Sequence, residues 1–136
     1  LDTLMKRMED DRGKFVVIAS GYKDNMDAFM SVNPGLSSRF THRMHIDDYN
    51  EDELLSIFKK MASKDEYVLS QAAELKLMDA ICRLVVSKDS QFGNAREMRN
   101  MLDKIIQHLS YRVSKMQPSE ITEDVFKVIM PEDIYN

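Results

Sequence analysis

The sequence is poor in the features that mark several protein classes. It holds one cysteine, Cys82, within the apolar stretch LMDAICRLVV. No internal disulfide and no cysteine-based metal site can therefore form, and a reducing cytoplasm is the expected setting. No apolar run approaches the roughly 18 residues that a bilayer span requires, so membrane attachment is not expected. Cationic surplus is also missing: 19 Lys and Arg stand against 23 Asp and Glu, a net charge of −4. That balance argues against a general nucleic-acid binder, which needs positive charge to displace counterions from phosphates. Three catalytic signatures are absent as well: G-x-x-x-x-G-K-[ST], H-E-x-x-H and G-x-S-x-G.

What is present suits a soluble globular protein. The chain has 136 residues, 43% of them hydrophobic, enough to close a core, and 31% charged. Its eleven methionines lie mostly among apolar residues, where flexible core filling is the expected role. The first residues, LDTLMKRM, already carry helical periodicity and do not begin with Met, as expected of a piece of a longer protein.

Periodicity divides the chain in two. Leu1, Leu4, Met5 and Met8 form one helical stripe, with Gly13 as a stop. KFVVIAS then reads as a strand buried on both faces, the kind found inside parallel sheets, and it calls for strand neighbours. Asp24 is placed to cap a short helix bearing Met26, Phe29 and Met30. Asn33-Pro34-Gly35 makes a break, and a second short strand is expected over residues 41–46.

Beyond Tyr49 the pattern is helical throughout. Asn50 and Glu53 have capping-box spacing ahead of Leu54, Leu55, Ile57, Phe58 and Met61. A second helix is expected from about Ser70 to Ser87. The best-patterned stretch runs through Ala95, Met98, Met101, Leu102, Ile105, Ile106, Leu109 and Val113. Thr122 is expected to cap a last short helix, DVFKVIM, stopped by Pro131. Four helices with short connections predict a small bundle.

Few residues offer chemistry. His42 and His45, with Asp47 and Asp48 nearby, read as solvated residues at a strand end rather than metal ligands, and no metal site is expected. His108 reads as a boundary residue of the long helix. Arginines stand out instead: Arg39 ends NPGLSSRF, Arg43 follows four residues later, and Arg96 and Arg99 lie one turn apart in GNAREMRN. Cations oppose the macrodipole at a helix start, which suggests that an anion is expected there. On spacing alone, solvated arginines paired with Glu97 and Asp103 remain the alternative.

Taken in order, MEDDRGKFVVIASGYKDNMDAFMSVNPGLSSRF, DYNEDELLSIF and GNAREMRN resemble the C-terminal portion of an AAA+ ATPase. The resemblance is to the group containing CbbX, the red-type Rubisco activase, and stage V sporulation protein K, and it covers essentially the whole chain. It implies that residues 1–48 are the last part of an α/β nucleotide-binding domain and residues 49–136 a four-helix lid, mostly helical overall. It implies that Arg39 is the arginine finger, acting in trans on a neighbouring subunit's γ-phosphate, with Arg43 a second interfacial arginine. Arg96 matches the sensor-2 arginine, and Ser20 stands at the sensor-1 position, where many members have Asn or Thr. Arg99, Gly93 and Asn94 fall beside the nucleotide by the same resemblance. Tyr49, Leu54 and Phe58 would offer apolar contact to the adenine, with ordinary packing as their other role.

The resemblance further implies a parent protein that binds ATP and Mg²⁺, forms a homo-oligomeric ring, expected to be a hexamer, and remodels a protein partner in the cytoplasm. The phosphate loop and the Mg²⁺-holding acids would precede Leu1, so these residues alone are expected to be inactive. Two alternatives come from other classes. One is a non-catalytic helical interaction module. The other is a DNA-handling AAA+ protein, disfavoured by the net acidity although Arg96, Arg99, Lys104, Arg112 and Lys115 face only Glu97 and Asp103 within residues 94–115.

Overall fold

The computed structural model describes residues 1–135. Its chain divides into two units, Leu1–Asp47 and the residues from Asp48 onward.

Three helices make up the first unit: α1 (Asp2–Asp10), α2 (Lys23–Val32) and α3 (Pro34–Arg39). α1 ends where Asp11 accepts from both Arg7 and Lys14, at 3.0 and 2.9 Å. Gly13 follows with φ +83, a conformation that favours glycine. Asp24 lies in the first turn of α2 but makes no capping bond; Tyr22 occupies the cap position. The break at Asn33 is sharp because Asn33 accepts the Gly35 N–H at 2.8 Å and Pro34 supplies a ready-made first helical φ. Leu36 is wholly buried, and Phe29 meets Phe40 edge to face with ring centroids 6.2 Å apart.

Both strands expected in this unit are absent among the described residues. KFVVIAS and residues 41–46 lie outside regular structure. The cause is the lack of a partner: a strand satisfies its backbone only through a neighbour, and none is at hand. Val16 and Ile18 accordingly stand 85% and 88% exposed, Met44 and Ile46 90% and 84%.

The second unit is built on three long helices, α4 (Glu51–Lys64), α5 (Gln71–Val86) and α6 (Ala95–Ser114). Asn50 opens α4 with a complete capping box: Glu53 N–H donates to Asn50 Oδ1, and Asn50 N–H to Glu53 Oε2, both at 2.9 Å. Ser70 caps α5. Leu54, Phe58 and Ala62 of α4, Ala73, Leu77 and Ile81 of α5, and Met98, Leu102, Ile105, Leu109 and Val113 of α6 form one core. The three helices thus each bury the stripe that their periodicity marks.

The fourth segment departs from expectation. DVFKVIM is a 3₁₀ turn, Glu123–Phe126, followed by a two-residue strand, β2 (Val128–Ile129), and Thr122 makes no side-chain capping bond. β2 pairs in parallel with β1 (Val68–Leu69), Val68 opposite Val128 and Leu69 opposite Ile129. Val128 and Ile129 are β-branched and favour a strand, whereas a seven-residue helix is marginal, and the pairing seats Ile129 in the core. Beyond it, a 3₁₀ turn at Pro131–Asp133 is tied to α6 through Asp133, which is 1% exposed. Arg112 reaches it with two hydrogen bonds, and Met130 N–H donates to the same carboxylate at 2.9 Å. His108, at the boundary of α6, bonds the Asp133 carbonyl oxygen at 3.0 Å through Nδ1.

Candidate functional site

Each unit presents an arginine of interest, and the two have opposite surroundings. In the first unit, the Asn33 cap and Pro34 start α3, and six residues later Arg39 ends it. Arg39 Nη1 donates to the Gly35 carbonyl at 3.1 Å, and Nη2 pairs with Glu9 at 3.2 Å. Its Nε is buried without a hydrogen-bond partner. The guanidinium borders a cleft of about 440 Å³ whose walls include Met8, Arg12, Phe15, Val17, Ser38 and Thr41. Because Glu9 is half exposed, this ion pair is weak, on the order of 1 kcal/mol or less, and a stronger anion would displace it at little cost.

The other first-unit candidates are looser. Arg43 is exposed, and its positive charge adds to the stronger influence of Lys23 in holding the Asp27 carboxyl below its ordinary range. Ser20 is exposed and belongs to no regular element. His45 lies 3.3 Å from Asp47, both at the surface. Among the described residues no group of three His, Cys, Asp or Glu side chains is placed to hold a metal ion.

In the second unit the interest lies at the start of α6. Ala95 is its first residue, so Arg96 falls in the first turn and Arg99 just beyond it, rather than both in the first turn. Arg96 is exposed, and its guanidinium makes no hydrogen bond or ion pair among the described residues. Arg99 is engaged with Asp65 at 3.5 Å, both about half exposed. Gly93 precedes them; a Cβ there would lie 2.7 Å from Glu97 Oε1, so the turn approaches the first helical side chains closely. Asn94 has φ +51 and ψ −115, and its carboxamide is taken up by the protein: Oδ1 accepts the Tyr49 N–H at 2.9 Å, while Nδ2 donates to Asp48 at 2.8 Å and to the Phe92 carbonyl at 3.3 Å. Lys88 bonds the other Asp48 oxygen at 2.8 Å.

The residues marked as contacts to a base separate sharply. Tyr49 is 45% exposed and has a face to offer. Leu54 and Phe58 are 0% exposed inside the core, so packing is their role in this structure and neither presents a surface to a ligand. Sequence reasoning named Asn94 as a candidate beside the nucleotide but missed its bonds to Tyr49 and Asp48 and the hold of Lys88 on Asp48, contacts between positions too far apart for a local pattern to show.

Residues 50–136 match the family model of the AAA lid domain. The chain is 37% identical over 134 residues to a protein CfxQ homolog of Guillardia theta, an overlap covering 98% of this chain and 45% of that protein. It is 40% identical over 114 residues to stage V sporulation protein K of Bacillus subtilis, covering 83% and 35% respectively. It is also 34% identical over 134 residues to the chloroplastic ribulose bisphosphate carboxylase/oxygenase activase of Cyanidioschyzon merolae, covering 98% and 45%. The chain thus spans less than half the length of these curated relatives.

Proposed function

The chain belongs to the AAA+ ATPase family, with the family's lid domain over residues 50–136, and from that premise we propose that it is the arginine-finger and lid portion of a ring-forming ATPase. The ring, in this reading a hexamer, converts ATP binding and hydrolysis into remodelling of a protein partner in the cytoplasm. A relative named for activating an enzyme, ribulose bisphosphate carboxylase/oxygenase, supports a protein as the class of target.

The observation that carries this reading is the guanidinium of Arg96 in the first turn of α6, within a lid domain, which has no hydrogen-bond or ion-pair partner among the described residues. A cation there is opposed by the helix dipole and gains nothing from a partner, so its place is accounted for by an anion arriving from outside. A phosphate fits that description, and Arg96 fits sensor 2, reading the phosphates bound by its own subunit. Arg39 supplies the complementary role: a fixed fork of donors, lightly held by Glu9, that exchanges this carboxylate for the γ-phosphate in a neighbouring subunit. The phosphate loop and the Mg²⁺ ligands belong to other parts of the parent protein, and these 136 residues alone do not turn over ATP. Tyr49 and Ser20 remain candidates for contact with base and phosphate.

The test uses the full-length protein. Arg39→Ala abolishes turnover while leaving ATP binding within about twofold, and Arg96→Ala impairs hydrolysis or nucleotide affinity in its own subunit. Mixed rings of the two variants regain activity if one arginine acts in trans and the other in cis. Unchanged turnover in Arg39→Ala removes the finger assignment.

A further inference from the structure

We propose that Asn94 is a positioning residue: its carboxamide clamps the point where the chain enters the second unit onto the turn that opens α6, and so sets the place of Arg96. The proposal deepens the reading of Arg96 as a phosphate sensor and rests on it.

Asn94 occupies a conformation that a side chain resists. With φ +51 and ψ −115 it is the first central residue of a tight turn closed by Arg96 N–H donating to the Gly93 carbonyl at 2.9 Å. Glycine is the residue such a turn favours, and an L side chain is strained there. Asn is common directly before a helix because it caps the free amides, yet Asn94 makes no such bond to α6. Neither the turn nor the cap therefore explains an asparagine at this position.

The side chain's partners do explain it. Oδ1 accepts the backbone N–H of Tyr49, and Nδ2 donates to the Asp48 carboxylate, residues 45 and 46 positions away in sequence. Lys88, arriving from beyond α5, holds the second Asp48 oxygen. Its ammonium also lies 5.8 Å from the centre of the Phe92 ring, and Phe92 is buried. Residues 48–49 are thus fastened from two sides, and the bond of greatest reach springs from the residue two before Arg96. A carboxamide carries the acceptor for Tyr49 and the donor for Asp48 on separate atoms, a pairing that a carboxylate lacks. Any movement of the entering chain is passed directly to the turn that aims Arg96.

The test compares variants of the full-length protein. Asn94→Gly keeps the turn, which glycine favours, and removes the clamp. Asn94→Asp keeps an acceptor but sets a carboxylate against Asp48, and Asp48→Asn added to it restores a donor and acceptor with their places exchanged. The expected results are amide exchange at Tyr49 at least tenfold faster in Asn94→Gly, kcat lowered about tenfold at unchanged melting temperature, and recovery in the exchanged pair relative to Asn94→Asp. If Asn94 acts through Arg96, Asn94→Gly combined with Arg96→Ala is no slower than Arg96→Ala alone. Wild-type exchange at Tyr49 in Asn94→Gly, wild-type turnover in that variant, or losses that multiply in the double variant overturn the proposal. Normal turnover in Arg96→Ala would instead remove the sensor reading, with the Tyr49 exchange still deciding whether the clamp exists.

Discussion

Arg112 grips Asp133 through two parallel hydrogen bonds, Nε to Oδ1 at 2.7 Å and Nη2 to Oδ2 at 2.9 Å, with Asp133 only 1% exposed. The fork matches the carboxylate, and the same Nη2 also donates to the Val128 carbonyl at 3.0 Å. Asp133's hydrogen bond raises the pKa of Arg112 above its ordinary value. The pair closes the C-terminal segment over α6, in the place where a fourth helix was expected.

Removing one partner leaves the other without its counter-charge. Asp133→Ala is expected to cost about 3 kcal/mol, because it strands Arg112 and the Met130 N–H together. Urea unfolding followed by helical circular dichroism measures it. Glu66→Ala, which breaks the exposed pair with Lys127, serves as the control and costs less than about 1 kcal/mol. Equal effects from the two would show that Asp133 does not latch the segment.

Leu54 and Phe58 act through packing. Phe58→Ala empties a fully buried site and is expected to destabilise the bundle by about 3–5 kcal/mol. Phe58→Leu keeps most of the volume and loses much less. In the full-length protein, Phe58→Leu leaves the KM for ATP within about twofold. A large KM change in a variant that melts normally would return Phe58 to the nucleotide site.

Asp11 accepts from Lys14 and Arg7, which together hold its carboxyl below the ordinary value of 3.8, Lys14 contributing more. A carboxyl with a lower pKa when folded stabilises the folded form above its unfolded pKa. That contribution is lost as pH falls through the folded pKa, so the window lies below about pH 4. Carboxyl NMR titration should place Asp11 below 3.8 in the native chain and closer to it in Lys14→Ala. A titration unaffected by Lys14→Ala would mean that this ion pair does not persist in solution.

How much of this was legible depended on sequence distance. The Asn50–Glu53 capping box rests on contacts three residues long, and the spacing displayed it directly, while Ser70 was marked only as the start of α5 and its capping bond came with the structure. The apolar stripes of α4, α5 and α6 marked the core because a helix repeats its face every turn. The strand pair Val68–Val128, the Arg112–Asp133 grip and the Asn94–Asp48 bond join remote positions, and no local pattern announces such partners. KFVVIAS shows the converse: its strand pattern is clear, but a pattern does not supply the neighbour that a sheet requires. In the candidate site, Arg39 and Arg96 were visible as residues, while Glu9 beside the first and the lack of a partner for the second among the described residues are tertiary facts.

That contrast yields the last prediction. Arg96 sits in the first turn of α6, where the dipole disfavours positive charge, and among the described residues no partner offsets the cost. Arg96→Ala should therefore leave the bundle unchanged or raise its stability by about 0.3–1 kcal/mol, alanine also being the better helix former. Arg99→Ala breaks the half-exposed pair with Asp65 and should lower stability by less than about 1 kcal/mol. Thermal melts of the two variants at low salt compare these signs, and added salt should shrink both differences. A residue kept at a site where it costs stability is held there by something other than folding, so a stabilising Arg96→Ala that also loses its nucleotide response fits the sensor role. A clearly destabilising Arg96→Ala would mean that the guanidinium has a structural partner in solution, and the case for an anion arriving from outside would lose its footing.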